Sequence, residues 1–83
     1  MTTELMIEAP MQGTIVQVLV AVGDLVRRGQ PVLVMESMKL EHVVESELAG
    51  VVRALHVQAG ETVKEGQPLA RVEEADVADA AAE

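Results

Sequence analysis

The sequence predicts an all-β domain, a small sandwich or flattened barrel of two antiparallel sheets with pseudo-twofold symmetry, and three observations carry that prediction. The chain repeats itself once. It holds 15 valines in 83 residues, an excess of a β-branched side chain that suits a pleated surface. Its apolar runs are closed by Gly or by Gly-Gln-Pro, leaving segments too short for helices between them.

The repeat is explicit. Residues 40–73 laid beneath 3–36 at a constant offset of 37, without a gap, match Glu4, Glu8, Gly13, Val20, Gly23, Val26, Gly29, Gln30, Pro31 and Glu36. Their mates are Glu41, Glu45, Gly50, Val57, Gly60, Val63, Gly66, Gln67, Pro68 and Glu73. The exchanges between are mostly of like for like: Ile15 with Val52, Val18 with Leu55, Asp24 with Glu61, Arg27 with Lys64, Val32 with Leu69. Two copies of one supersecondary unit follow, each expected to cover the other's apolar face.

Taken in order, strands are expected near 4–8, 13–20, 31–36, 40–46, 50–57 and 68–73. In the second of these, Val16, Val18 and Val20 recur in period two, the spacing of one sheet face. The segments 23–29 and 60–66 carry one apolar anchor each, Val26 and Val63, and read as tight turns or very short strands. All six glycines read as turn residues, and none belongs to a phosphate-binding pattern. Pro31 and Pro68 stand where a strand begins and no ladder donor is lost. The folded unit is expected over 1–73. Residues 74–83 read as an acidic, Ala-rich tail or linker, too poor in apolar surface to order itself, with a frayed helical turn as the alternative.

Composition narrows the function. A formal charge of −8, from 14 acidic and 6 basic side chains, argues against nucleic acid and against an anionic membrane surface, both of which need clustered Lys and Arg. No Phe, Tyr, Trp or Cys is present, so there is no stacking platform, disulfide or thiolate metal site. The longest apolar run, around Val18 to Val22, is far short of the ~18 residues that span a bilayer. The N-terminus shows no secretory pattern, which makes the cytoplasm the expected location. A chain of this size buries roughly 60% of its unfolded surface, which suits a carrier or binding module better than an enzyme with a deep pocket. His42 and His56 align with Leu5 and Leu19 and form no ligand spacing.

Ser37, Met38 and Lys39 alone fall between the two units. They lie at the apex of a hairpin joining two strands, yet the apex has none of the Asn or Gly that reaches positive φ easily. Left-handed backbone at Met38 or Lys39 costs about 1–3 kcal/mol, so a role beyond folding is indicated for these residues. The chain's other lysine, Lys64, aligns with Arg27, where any base serves. Met35 aligns with Val72 and reads as core; Met38 reads as exposed.

The segment Met35-Glu36-Ser37-Met38-Lys39-Leu40-Glu41 resembles the attachment motif of the biotin carboxyl carrier family, commonly Glu-Ala-Met-Lys-Met. Ala9-Pro10-Met11-Gln12-Gly13 resembles the Ala-Pro-Met-x-Gly opening of the same domains in acyl-CoA and pyruvate carboxylases. The resemblance spans residues 4 to about 73. It implies the barrel-sandwich hybrid fold of biotinyl and lipoyl domains, biotin joined covalently to Lys39, and an attachment motif flanked by Glu36, Ser37, Met38 and Leu40. It further implies a non-catalytic carrier whose partners are biotin protein ligase, biotin carboxylase and carboxyltransferase. Ser37 stands where the family usually has Ala, and Leu40 where it has Met. Sister lipoyl domains usually place Asp before the lysine, where this chain has Met38. A lipoyl carrier of a 2-oxoacid dehydrogenase type complex and a non-acylated structural domain of the same fold are the alternatives. The first unit is no longer than the second, which leaves no room for a protruding thumb between early strands. Met1 fits a free protein, and the tail would equally serve as a linker.

Overall fold

Eight strands are built from the valine-rich runs: β1 (Glu4–Glu8), β2 (Gly13–Val18), β3 (Leu25–Val26), β4 (Pro31–Ser37), β5 (Leu40–Glu45), β6 (Gly50–Leu55), β7 (Thr62–Val63) and β8 (Pro68–Glu74). The structure is a computed structural model and describes residues 3–75; most of the expected tail lies outside the described residues. Among these residues no helix is long and apolar enough to cross a membrane. The two segments anchored by Val26 and Val63 are two-residue strands.

The strands form two four-stranded antiparallel sheets, β1-β8-β6-β3 and β5-β4-β2-β7. Exchanging the two units, by adding 37 to residues of the first and subtracting 37 from residues of the second, turns one sheet into the other. Glu4 opposite Glu73 becomes Glu41 opposite Glu36, and Gly13 opposite Val63 becomes Gly50 opposite Val26. One expectation is corrected by this order. The repeat units do not face each other as separate layers; each sheet takes two strands from each unit. The reason is that β1 and β5, which open the units, find their partners in the strands that close the opposite unit.

The matched polar residues of the repeat are turn fasteners. The Gln30 side-chain oxygen accepts from the Arg27 backbone N–H at 3.0 Å, and Gln67 does the same for Lys64 at 3.1 Å. Asp24 accepts from Ala21 N–H and Glu61 from Gln58 N–H, at 2.9 and 2.8 Å. Gly29 and Gly66, at φ 86° and 83°, supply the left-handed residue before each Gln.

Gly13 and Gly50 correct the reading of every glycine as a turn residue. Both begin strands, and neither has positive φ. A Cβ on Gly13 would stand 2.5 Å from the Glu36 carbonyl oxygen and 2.9 Å from Met35 Cε, and one on Gly50 would run into the Glu73 carbonyl. They are there for close approach.

The core is aliphatic throughout, with Ile15, Val26, Leu33, Met35, Val52, Val63, Leu69 and Val72 all essentially sealed from solvent. Here the period-two reading of Val16, Val18 and Val20 is also corrected. A bulge between Ile15 and Gln17 turns Ile15 inward and leaves Val16 42% exposed. The same bulge in β6 puts Arg53 outside.

Candidate attachment site

β4 and β5 are joined by only Met38 and Lys39, and Ser37 pairs directly with Leu40 across the turn. Both loop residues have positive φ, 54° at Met38 and 68° at Lys39, the primed-turn geometry whose twist matches that of the flanking strands. They are the two non-glycine residues in this region of φ,ψ space among the described residues. Local sequence opposes the conformation, and the ladders on either side impose it.

The consequence is exposure. Met38 is 92% exposed, and Lys39 and Leu40 stand out beside it, while Ser37 is half-buried and Met35, three residues earlier, is completely buried. Lys39 makes no hydrogen bond or ion pair among the described residues. The hairpin therefore presents one primary amine, at the tip of a four-carbon stem, to whatever approaches from solvent. Such an amine, once it has lost its proton, attacks an activated carboxyl group to form an amide. Glu36 and Glu41 face each other one residue pair below the apex pair Ser37 and Leu40, both exposed.

Beside the apex lies an open hollow of about 560 Å³, lined by Met11, Gln12, Thr14, Ser37, Lys39 and Thr62 among others. The Ala-Pro-Met-Gln-Gly segment thus meets the lysine hairpin in space, although about 25 residues separate them in the chain. Gly13 is the hinge of this meeting, because its missing side chain lets β2 start against the Glu36 carbonyl. The sequence placed Gly13 in the Ala-Pro-Met-x-Gly segment but read it as a turn residue, not as a point of close approach. Its signal was its alignment with Gly50 at a strand start, away from any turn run.

The pseudo-twofold carries the apex onto the place where β1 begins and β8 ends, with the Glu74 N–H donating to the Thr3 carbonyl at 2.7 Å. His42 lies opposite Met35 in β5 and is half-buried, and His56 is exposed at the end of β6.

Comparison with known proteins agrees with this geometry. Residues 6–72 match the model of the family described as biotin-requiring enzyme. The chain is 63% identical over 35 residues to the biotin carboxyl carrier protein of acetyl-CoA carboxylase from Solanum lycopersicum, covering 42% of this chain and 50% of that protein. It is 59% identical over 34 residues to the mitochondrial methylcrotonoyl-CoA carboxylase subunit alpha of Dictyostelium discoideum, covering 41% of this chain and 5% of that one. The chain thus spans at most half the length of these relatives. Among solved structures, a single-chain, multi-domain long-chain acyl-CoA carboxylase superposes with a TM-score of 0.82 at 29% identity, over 90% of this chain and 8% of that one. The urea carboxylase of Kluyveromyces lactis superposes with a TM-score of 0.79 at 28% identity, over 84% and 6%.

Proposed function

The chain belongs to the biotin-requiring enzyme family, and from that membership we propose that it is a biotin carboxyl carrier domain whose Lys39 side chain holds biotin as an amide. The single observation that carries the assignment to Lys39 is the hairpin itself. It places the one lysine without a counterpart in the repeat at a strained, two-residue, fully solvated apex.

The residues fit the group. An amide on Lys39 requires an unobstructed amine, and nothing among the described residues engages it. Ser37 and Leu40 close the β-ladder immediately below, so the arm is anchored on a rigid base while everything beyond the Lys39 Cα is free. When bound, biotin supplies a ureido ring that accepts and gives up a carboxyl group. The chain contributes reach: a tethered ring is held at high effective concentration near any site the domain can dock against. Biotin protein ligase would load Lys39, and biotin carboxylase and a carboxyltransferase would act on the arm in turn. Glu36, Ser37, Met38 and Leu40 form the surface such enzymes meet around the lysine.

Intact mass spectrometry after co-expression with biotin ligase tests the proposal. One biotin is expected on the wild-type chain and none on Lys39→Arg. Labelling of the Arg variant, or lipoate instead of biotin when both ligases are supplied, overturns it.

A further inference from the structure

The repeat supplies an internal control for every surface position, and one face fails to match its mate. On the sheet β1-β8-β6-β3, Glu4 and Glu73 stand directly opposite each other. Like charges so placed repel, and here each is answered by an arginine. Arg71 Nη1 reaches Glu4 Oε2 at 2.9 Å, and Arg53 Nε reaches Glu73 Oε1 at 2.5 Å.

The sheet β5-β4-β2-β7 keeps both acids, as Glu41 opposite Glu36, and omits both bases. Val34 stands where the repeat has Arg71, and Val16 where it has Arg53. Neither Glu36 nor Glu41 has an ion-pair partner among the described residues. Val34 and Val43 are cross-strand neighbours on the same outer face, and Val16 stands out at the bulge. Val43 is 54% exposed. The result is an apolar strip, the exposed Val16 and Val43 with the half-buried Val34, leading to two uncompensated carboxylates directly beneath Lys39. The domain's own solution to a facing glutamate pair is absent where the arm emerges.

We infer that this outer face is the docking surface for biotin carboxylase, which would present two basic side chains in the places that Arg53 and Arg71 fill on the other sheet, astride an apolar surface covering the valines. The inference rests on the proposed biotinylation of Lys39. Two arguments commit it to that partner. Acylation removes the Lys39 cation and takes the formal charge of Lys39, Glu36 and Glu41 from −1 to −2, so the loaded carrier is the form that most favours a basic surface. A site that takes ATP and bicarbonate has to hold two anions with cations, and a positive approach to such a site complements this acidic face.

The test grafts the missing arginines. Val16→Arg/Val34→Arg in the 83-residue chain should pair Glu36 and Glu41 internally. The control, Arg53→Val/Arg71→Val, makes the opposite change on the other sheet. Intact mass first establishes that each protein carries biotin. With biotin carboxylase from the same organism, the graft should raise KM for the biotinylated carrier at least tenfold with kcat within twofold. The wild-type KM should rise with added salt and the control's KM should match wild type. Thermal melts should show the graft no less stable than wild type. An unchanged KM in a biotinylated, folded graft overturns the docking face, as does an equal rise in the control. A wild-type chain that takes no biotin instead overturns the function on which the inference stands.

Discussion

Met38 and Lys39 hold left-handed backbone without being Gly or Asn, at a cost of about 1–2 kcal/mol each. At Met38 the cost is removable, because the side chain is 92% exposed and packs on nothing. Met38→Asn, whose short amide tolerates this region, should stabilise the domain by about 1 kcal/mol, or a melting temperature about 4–8 °C higher for a domain of this size. The same change should slow biotin transfer to Lys39 in a single-turnover ligase assay, since the ligase loses the apolar side chain next to its target. A lower melting temperature for the Asn variant would show that the hairpin is not strained at this position. The expectation of strain at the apex came from the sequence alone, because the short join Ser37 to Lys39, lacking Gly or Asn between two strand-like runs, leaves few backbone solutions; that Ser37 extends the strand and shortens the turn to two residues came from the pairing.

At the level of strands and turns, the repeat separates what folding requires from what the site adds. The two Gln fasteners make the same bond in the same turn, so Gln30→Ala and Gln67→Ala should each cost about 1 kcal/mol and agree within a few tenths in urea melts. The two close-approach glycines should behave alike in stability and differently in function. Gly50→Ala drives a Cβ into the Glu73 carbonyl, and Gly13→Ala into that of Glu36, for about 3 kcal/mol of overpacking in each case, because backbone cannot rotate aside. Only Gly13→Ala displaces the end of β4 that carries the lysine hairpin. Biotin acceptance, measured well below both melting points, should therefore fall for Gly13→Ala and hold for Gly50→Ala. Strand and turn positions were legible beforehand, since Gly and Pro mark them locally, whereas the bonds by which Gln30, Gln67, Asp24 and Glu61 fasten those turns emerged only with the structure. The bulges at Val16 and Arg53 were not legible either, because a bulge is defined by the partner strand and leaves the local alternation of Val16, Val18 and Val20 looking regular.

For the molecule as a whole, what the repeat hid is which half pairs with which. Two self-similar units suggest two self-sufficient layers, yet only the β2–β4 and β6–β8 pairings lie within a unit, and β1–β8, β2–β7, β3–β6 and β4–β5 all cross between units. Pairing across the chain is decided by which closed arrangement buries Ile15, Leu33, Val52 and Leu69 together, a property of no single segment. The consequence is testable by cutting at the apex. Residues 1–38 retain one two-stranded pairing of their own and residues 39–83 another, and an isolated strand pair is at best marginally stable in water. Each fragment alone should give a disordered circular dichroism spectrum. An equimolar mixture should recover β structure with a single cooperative melt, because the four crossing ladders and the shared core re-form together. Either fragment folding alone as a monomer by sedimentation, with a cooperative melt of its own, would show that a unit is a fold in itself and that the interleaved sheets are a packing choice imposed afterwards.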